Sequence, residues 1–107
     1  METDTQWLLT LKPLDLVSCK SDRKCISIGV VEKITLKRVK ICIYQKYISG
    51  FGIMCYSKYE SIYFSKQNGI NAFWQITPLE VHRSLAEKII KLADEAHQKI
   101  WGYLDGN

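Results

Sequence analysis

Between residues 44 and 64 lie Tyr44, Tyr47, Phe51, Tyr56, Tyr59, Tyr63 and Phe64, seven aromatics in 21 positions, interleaved with Lys46, Lys58 and Glu60. Aromatic faces stack on nucleobases and ammonium groups neutralise phosphates, so this composition suits a nucleic-acid surface. Lys37, Arg38 and Lys40 just upstream extend the same basic character. The rings equally suit a protein interface, which tyrosine anchors, or the interior of a β-sheet, where aromatics pack for their own sake. The candidate binding set is therefore Lys37, Arg38, Lys40, Tyr44, Lys46, Tyr47, Phe51, Tyr56, Lys58 and Tyr59. Within it, Tyr47-Ile48-Ser49-Gly50-Phe51-Gly52-Ile53-Met54 places Phe51 between two glycines in an apolar stretch. Either Phe51 stands at an exposed loop tip, or the glycines allow a bend that tucks it inside.

Catalysis and metal binding find little to work with. His82 and His97 are the only histidines. They are fifteen residues apart in a helical pattern, about four turns or roughly 22 Å, too far to share a site. No serine stands in a nucleophile-elbow context, and no glycine-rich phosphate loop is present. Cys19 and Cys25 are six apart rather than at zinc-knuckle spacing, and neither has a nearby histidine in sequence. The expectation is a protein that is not an enzyme, with no metal or other cofactor and with its cysteines serving as buried structural residues.

The elements that must position these residues fit in 107 residues and 12.4 kDa, one domain with one modest core. Hydrophobic residues make up 47% and charged residues 24%, which excludes a disordered chain. The chain opens on a polar, acidic stretch without a basic start or a long apolar run, and no window is apolar enough for a membrane span. The four cysteines (Cys19, Cys25, Cys42, Cys55) are consistent with two bridges, yet without a leader they predict free thiols in a cytoplasmic protein. Charge is uneven: residues 1–18 carry −2, residues 19–70 carry +7 and residues 71–107 carry −1, summing to the net +4. A positive middle segment either holds a polyanion or is simply a solvated lysine-rich surface.

From Val39 to Tyr44 apolar and polar residues alternate, predicting a strand with one buried and one wet face. Ile26, Ile28 and Val30 alternate with Ser27 and Gly29 until Val31 breaks the phase, which predicts an inward-facing isoleucine row and a bulge near Gly29–Val31. Thr35-Leu36-Lys37 reads as a tight connection and Asn68-Gly69 as a turn. Further strands are expected at Leu16–Cys19, Ile53–Tyr56, Ser61–Ser65 and Ala72–Ile76. Thr77-Pro78-Leu79-Glu80 has the form of a capping box. Beyond it Val81, Leu85, Ile89, Ala93, Ala96, Ile100 and Leu104 recur at helical spacing, opposite Arg83, Glu87, Lys91, Asp94 and Gln98. The reading is one domain over 1–107, mainly β in an α+β arrangement. A small, bent, closed five-stranded barrel spans about residues 9–77 and a long amphipathic helix about 78–103. The end of that helix, with Trp101, Tyr103 and Leu104, packs back on its own domain or on a second copy to form a homodimer.

Leu11-Lys12-Pro13-Leu14-Asp15-Leu16-Val17 resembles the "L-K-x-G-D-x-V" opening of Src-homology-3-like barrels of the KOW type. Ile28 to Ile41 is similar to the hairpin that follows it in short uncharacterised bacterial and phage proteins. Phe64-Ser65-Lys66-Gln67-Asn68-Gly69 and Ile76-Thr77-Pro78-Leu79-Glu80 resemble their later segments. The resemblance covers about residues 9–82, and Leu14 stands where the pattern has glycine, which predicts an opening turn of another type. It implies a Src-homology-3-like barrel of mobile-element origin and no catalytic residue. The expected function is an interaction protein that blocks a host protein or protein–nucleic-acid complex, such as a nucleic-acid-processing defence complex, through its aromatic-basic face. A module binding RNA or DNA directly, and an oligomer that sequesters a small molecule or nucleotide, are the alternatives.

Overall fold

The computed structural model describes residues 5–21 and 25–104, the last six as backbone alone. A short 3-10 helix, Gln6–Thr10, leads into strands β1 (Leu16–Lys20), β2 (Ile26–Ile34), β3 (Arg38–Ile48), β4 (Met54–Ser65), β5 (Ile70–Asn71) and β6 (Trp74–Pro78), followed by helix α1 (Arg83–Leu104). The strands form one antiparallel sheet in the order β4-β3-β2-β1-β6-β5. The protein is thus mainly β with one C-terminal helix, but the expected closed five-stranded barrel is a six-stranded curled half-barrel. Its two edges meet without a backbone ladder. The Asn71 side-chain amide donates to the Tyr63 carbonyl across that seam.

The curl encloses a core of Leu8, Val17, Cys19, Val31, Val39, Ile41, Ile43, Phe64 and Ile76. Leu8, carried by the 3-10 helix, was not anticipated as part of it. The tight curvature depends on Gly29, where a Cβ would stand 2.5 Å from Ile41 Cγ2, 2.8 Å from Cys19 Sγ and 2.9 Å from Val17 Cγ2. The bulge lies just beyond its expected place. Val31 pairs with Ile41 and Lys33 with Lys40, which makes Glu32 the extra residue. A second bulge, on β4, accommodates Tyr59 and Glu60 between the Cys42–Ser61 and Tyr44–Lys58 pairs.

The expectation of one wet face on β3 is overturned. Helix α1 lies across the convex side of the sheet and seals a second core of Ile28, Cys42, Tyr44, Ala86, Ile89 and Ala93. Ile28 and Val30 accordingly face the helix, and the concave core takes Val31 while Ser27 and Gly29 share its side. An amphipathic helix of 22 residues must bury its stripe somewhere, and the convex side is the available surface. The helix keeps its expected phase, with Ile89 and Ala93 buried and Leu85 packed beside them while Arg83, Glu87, Lys91 and Gln98 are exposed; one residue departs from it. Asp94, assigned to the wet face, is half-buried and pairs with Lys58 at 3.2 Å.

The helix also starts later than Thr77. Ser18 pairs with Thr77 and Cys19 with Ile76, so the residues of the capping box extend β6 as far as Pro78. Strand pairing with β1 overrides the local capping preference, and the Thr77 hydroxyl is left buried without a partner. His82 is the N-cap instead. Its carbonyl accepts from the Leu85 and Ala86 N–H groups, and its Nδ1 accepts from the Ser84 N–H at 3.2 Å. The helix runs on through Gly102. The side chains proposed for a dimer contact, Trp101, Tyr103 and Leu104, lie outside the described ones.

At Lys12–Asp15 the opening turn keeps a left-handed third residue despite lacking glycine. Asp15 N–H donates to the Lys12 carbonyl at 3.0 Å, Pro13 takes the second position, and Leu14 has φ 75°. This is a type II arrangement. The bond from Leu14 N–H to the Val31 carbonyl, 2.7 Å, fixes the turn to β2.

Candidate interaction surfaces

The ten candidate residues do not form one face. They divide into three groups along β3 and β4. The central group is consumed by folding. Tyr44 is only 7% exposed, and its hydroxyl lies against Cys42 and Asp94. Lys58 pairs with Asp94 and stands 5.6 Å over the Tyr44 ring, while Tyr56 packs against the core beneath the helix. Burial, then the neighbouring Cys42, pushes the Tyr44 hydroxyl above its ordinary range. Tyr59 sits in the β4 bulge, half-exposed and edge-on to Trp74 at 6.2 Å.

A second group surrounds the β2–β3 turn. Lys37 and Arg38 are exposed. Lys40 is half-buried, 3.9 Å from Glu32 and 5.8 Å over the Tyr63 ring, which Arg38 approaches at 5.1 Å. The structure adds residues that sequence spacing did not bring together. Lys33 faces Lys40 directly across the β2–β3 ladder, and Lys66 reaches the Thr35 carbonyl at 3.1 Å. Leu9, Leu36, Lys37, Arg38, Ser65, Lys66 and Gln67 line an open groove of about 740 Å³.

The third group is the β3–β4 tip, with Lys46, Tyr47 and Phe51. Phe51 is 93% exposed, at the loop tip rather than tucked inside. Ile48, Ile53, Met54 and Ile26 are exposed around it, and a shallow groove of about 390 Å³ runs between Cys25, Ile26, Lys46, Tyr47, Ile48 and Met54. Ser49 braces the loop. Its N–H donates to the Ile53 carbonyl at 2.8 Å, and its hydroxyl accepts from the Phe51 and Ile53 N–H groups at 3.3 and 3.2 Å. The Gly52 N–H closes a turn onto the Ser49 carbonyl, with Gly52 itself at φ 78°. Ile48, Ile53 and Met54 were legible as apolar loop residues, but a tip that holds them all outward was not.

All four cysteines are free thiols. Burial, then the nearby Cys42, raises the Cys19 thiol from its ordinary 9.0 to about 12, and burial raises Cys42 as well. On the concave side Gln45 donates from Nε2 to Ser27 Oγ at 3.2 Å and to Cys25 Sγ at 3.3 Å, satisfying a buried amide. Among the described residues no three His, Cys, Asp or Glu side chains are grouped to hold a metal ion, and no helix is long and apolar enough to cross a membrane. Compared with protein-family models, curated proteins and solved structures, the chain matches none.

Proposed function

We propose that this is a non-enzymatic interaction protein of the cytoplasm that binds and blocks a host protein or protein–nucleic-acid complex, seating the β3–β4 tip in an apolar pocket of the protein component. The observation that carries the reading is the rigid outward display of Phe51, 93% exposed on a turn whose backbone is held by Ser49. Large apolar side chains in water contribute nothing to folding, and a loop already ordered loses little entropy when it docks. Residues 47–57 contain no charged side chain, Lys46 and Lys58 being the flanking charges. A polyanion would find nothing there to neutralise it, so the chemistry of the tip selects an apolar protein pocket. Its mixture of Tyr and Phe with Ser and Gly is also that of adaptable contact loops with aromatic anchors. The mobile-element and host side of the proposal rests on the resemblance of residues 9–82 to phage barrels, and the free thiols support a reducing compartment.

The test is a pull-down from nuclease-treated host lysate with the wild-type protein and with Phe51→Asp. A partner retained by the wild type should lose at least about 2 kcal/mol of binding, some thirtyfold, in the variant, as anchors of this kind do. The thermal midpoint should not change, because Phe51 supports nothing in the fold. A partner captured equally by both proteins would refute the role of the tip.

A further inference from the structure

At the other end of β3 three cations edge a groove, and two more, Lys33 and Lys40, stand beside it on the β2–β3 ladder. Lys33 and Lys40 are direct cross-strand partners, an arrangement that costs stability because like charges face one another. Lys40 and Arg38 both lean over Tyr63, while Lys37, Arg38 and Lys66 edge the groove whose apolar surface is Leu9 and Leu36. Leu36 is 89% exposed although it caps a two-stranded turn that needs no apolar residue there. Among the described residues, Glu32 is the one carboxylate within ion-pair distance of these five cations, at 3.9 Å from Lys40. Uncompensated positive charge beside exposed leucines matches a ligand with phosphates on one edge and flat apolar faces on the other. A single strand of nucleic acid has both, whereas a duplex hides its base faces in the stack.

We infer that the groove between the β2–β3 turn and the 3-10 helix binds single-stranded nucleic acid without regard to sequence. Lys33, Lys37, Arg38, Lys40 and Lys66 contact the phosphates, and Leu9 and Leu36 contact the bases. This inference is independent of the docking role of the tip, since the two surfaces share no residue.

Fluorescence anisotropy with a labelled oligo-deoxythymidine strand tests it. Four or five phosphate contacts predict an affinity that falls roughly fifty- to hundredfold between about 50 and 200 mM salt. Changing Lys37, Arg38 and Lys40 together to Ala should weaken binding at least about tenfold at low salt and flatten the logarithmic salt slope by about 2. The fold should survive, because Lys40→Ala also removes the repulsion with Lys33. Should the triple variant lose its fold, Lys37→Gln with Arg38→Gln, both exposed, gives the same readout. Leu36→Ser should weaken binding severalfold while leaving the salt slope unchanged, which a purely electrostatic surface would not do. The inference is overturned if the wild type shows no binding at about 50 mM salt, or if the charge variants bind like the wild type. It is also overturned if the oligonucleotide in duplex form, or poly-glutamate as competitor, binds as tightly as the single strand.

Discussion

The two turns that bound β3 are braced in the same manner. At the first, Thr35 donates from Oγ1 to the Arg38 carbonyl and accepts from the Arg38 N–H. At the second, Ser49 accepts from Phe51 and Ile53. One turn presents Lys37 and Arg38 beside Leu36; the other presents Phe51 among Ile48, Ile53 and Met54 with no charge at all. The eleven residues of β3 hold the two about 33 Å apart if fully extended. Phe51 and the Lys37–Arg38 pair are thus separated in space by the length of a strand, and two of the rings between them, Tyr44 and Tyr56, are taken up by the helix. Interleaving in sequence is not evidence of a mixed surface when a long hairpin lies between.

The substitution with the largest expected effect breaks both ends together. Gly29→Ala places a methyl group against Ile41, Cys19 and Val17 in the core that β2 and β3 share. Overpacking there should cost about 3 kcal/mol, lowering the denaturation midpoint and weakening partner and oligonucleotide binding in parallel. If only one activity fell, the two ends would not rest on a common frame.

A pH series sharpens the contrast between core and tip. The Cys19 thiol rises from 9.0 to about 12 in the folded protein, so the unfolded chain loses this proton first. The contribution is complete below pH 9 and is lost as pH rises toward 12. About 1 kcal/mol should be gone near pH 10, read as a falling thermal midpoint that Cys19→Ala flattens. In native protein a thiol reagent should label Cys25 and Cys55 well before the buried Cys19 and Cys42.

The smallest change touches neither end. Leu14 is 78% exposed at φ 75°, so Leu14→Gly should relieve strain and raise stability by about 1 kcal/mol, with both binding activities unchanged.

Much of this was legible beforehand. The alternation from Val39 to Ile43 placed β3, the residues around Thr35–Lys37 and Asn68-Gly69 placed turns, and the stripe from Leu85 onward placed a helix. Tyr44 was misplaced because period two tells which residues share a face but not what covers it. Cys42 and Tyr44 look like a mixed solvent face until a helix arrives on it. Thr77-Pro78-Leu79-Glu80 misled for a related reason. Its capping preference is local, whereas the bonds from β6 to β1 join residues some sixty positions apart and outweigh it. Of the candidate site, Phe51 and the Lys37–Arg38 pair were readable as exposed or basic residues. Lys33 and Lys66 were not associated with them, since only the ladder and the β4–β5 connection bring them near.

The side-chain clasp from Asn71 to Tyr63 joins the two borders of the sheet at one point. A strand of twelve residues there faces one of two, so among the described residues most of the outer backbone of β4 has no neighbouring strand. Such a border invites a foreign strand to add on and build fibres. Here the bulge at Tyr59 and Glu60 interrupts the straight run a newcomer would need, and the Glu60 charge beside it disfavours burial under an added strand. A distortion that spoils the regularity of the sheet thus works against pairing along this border.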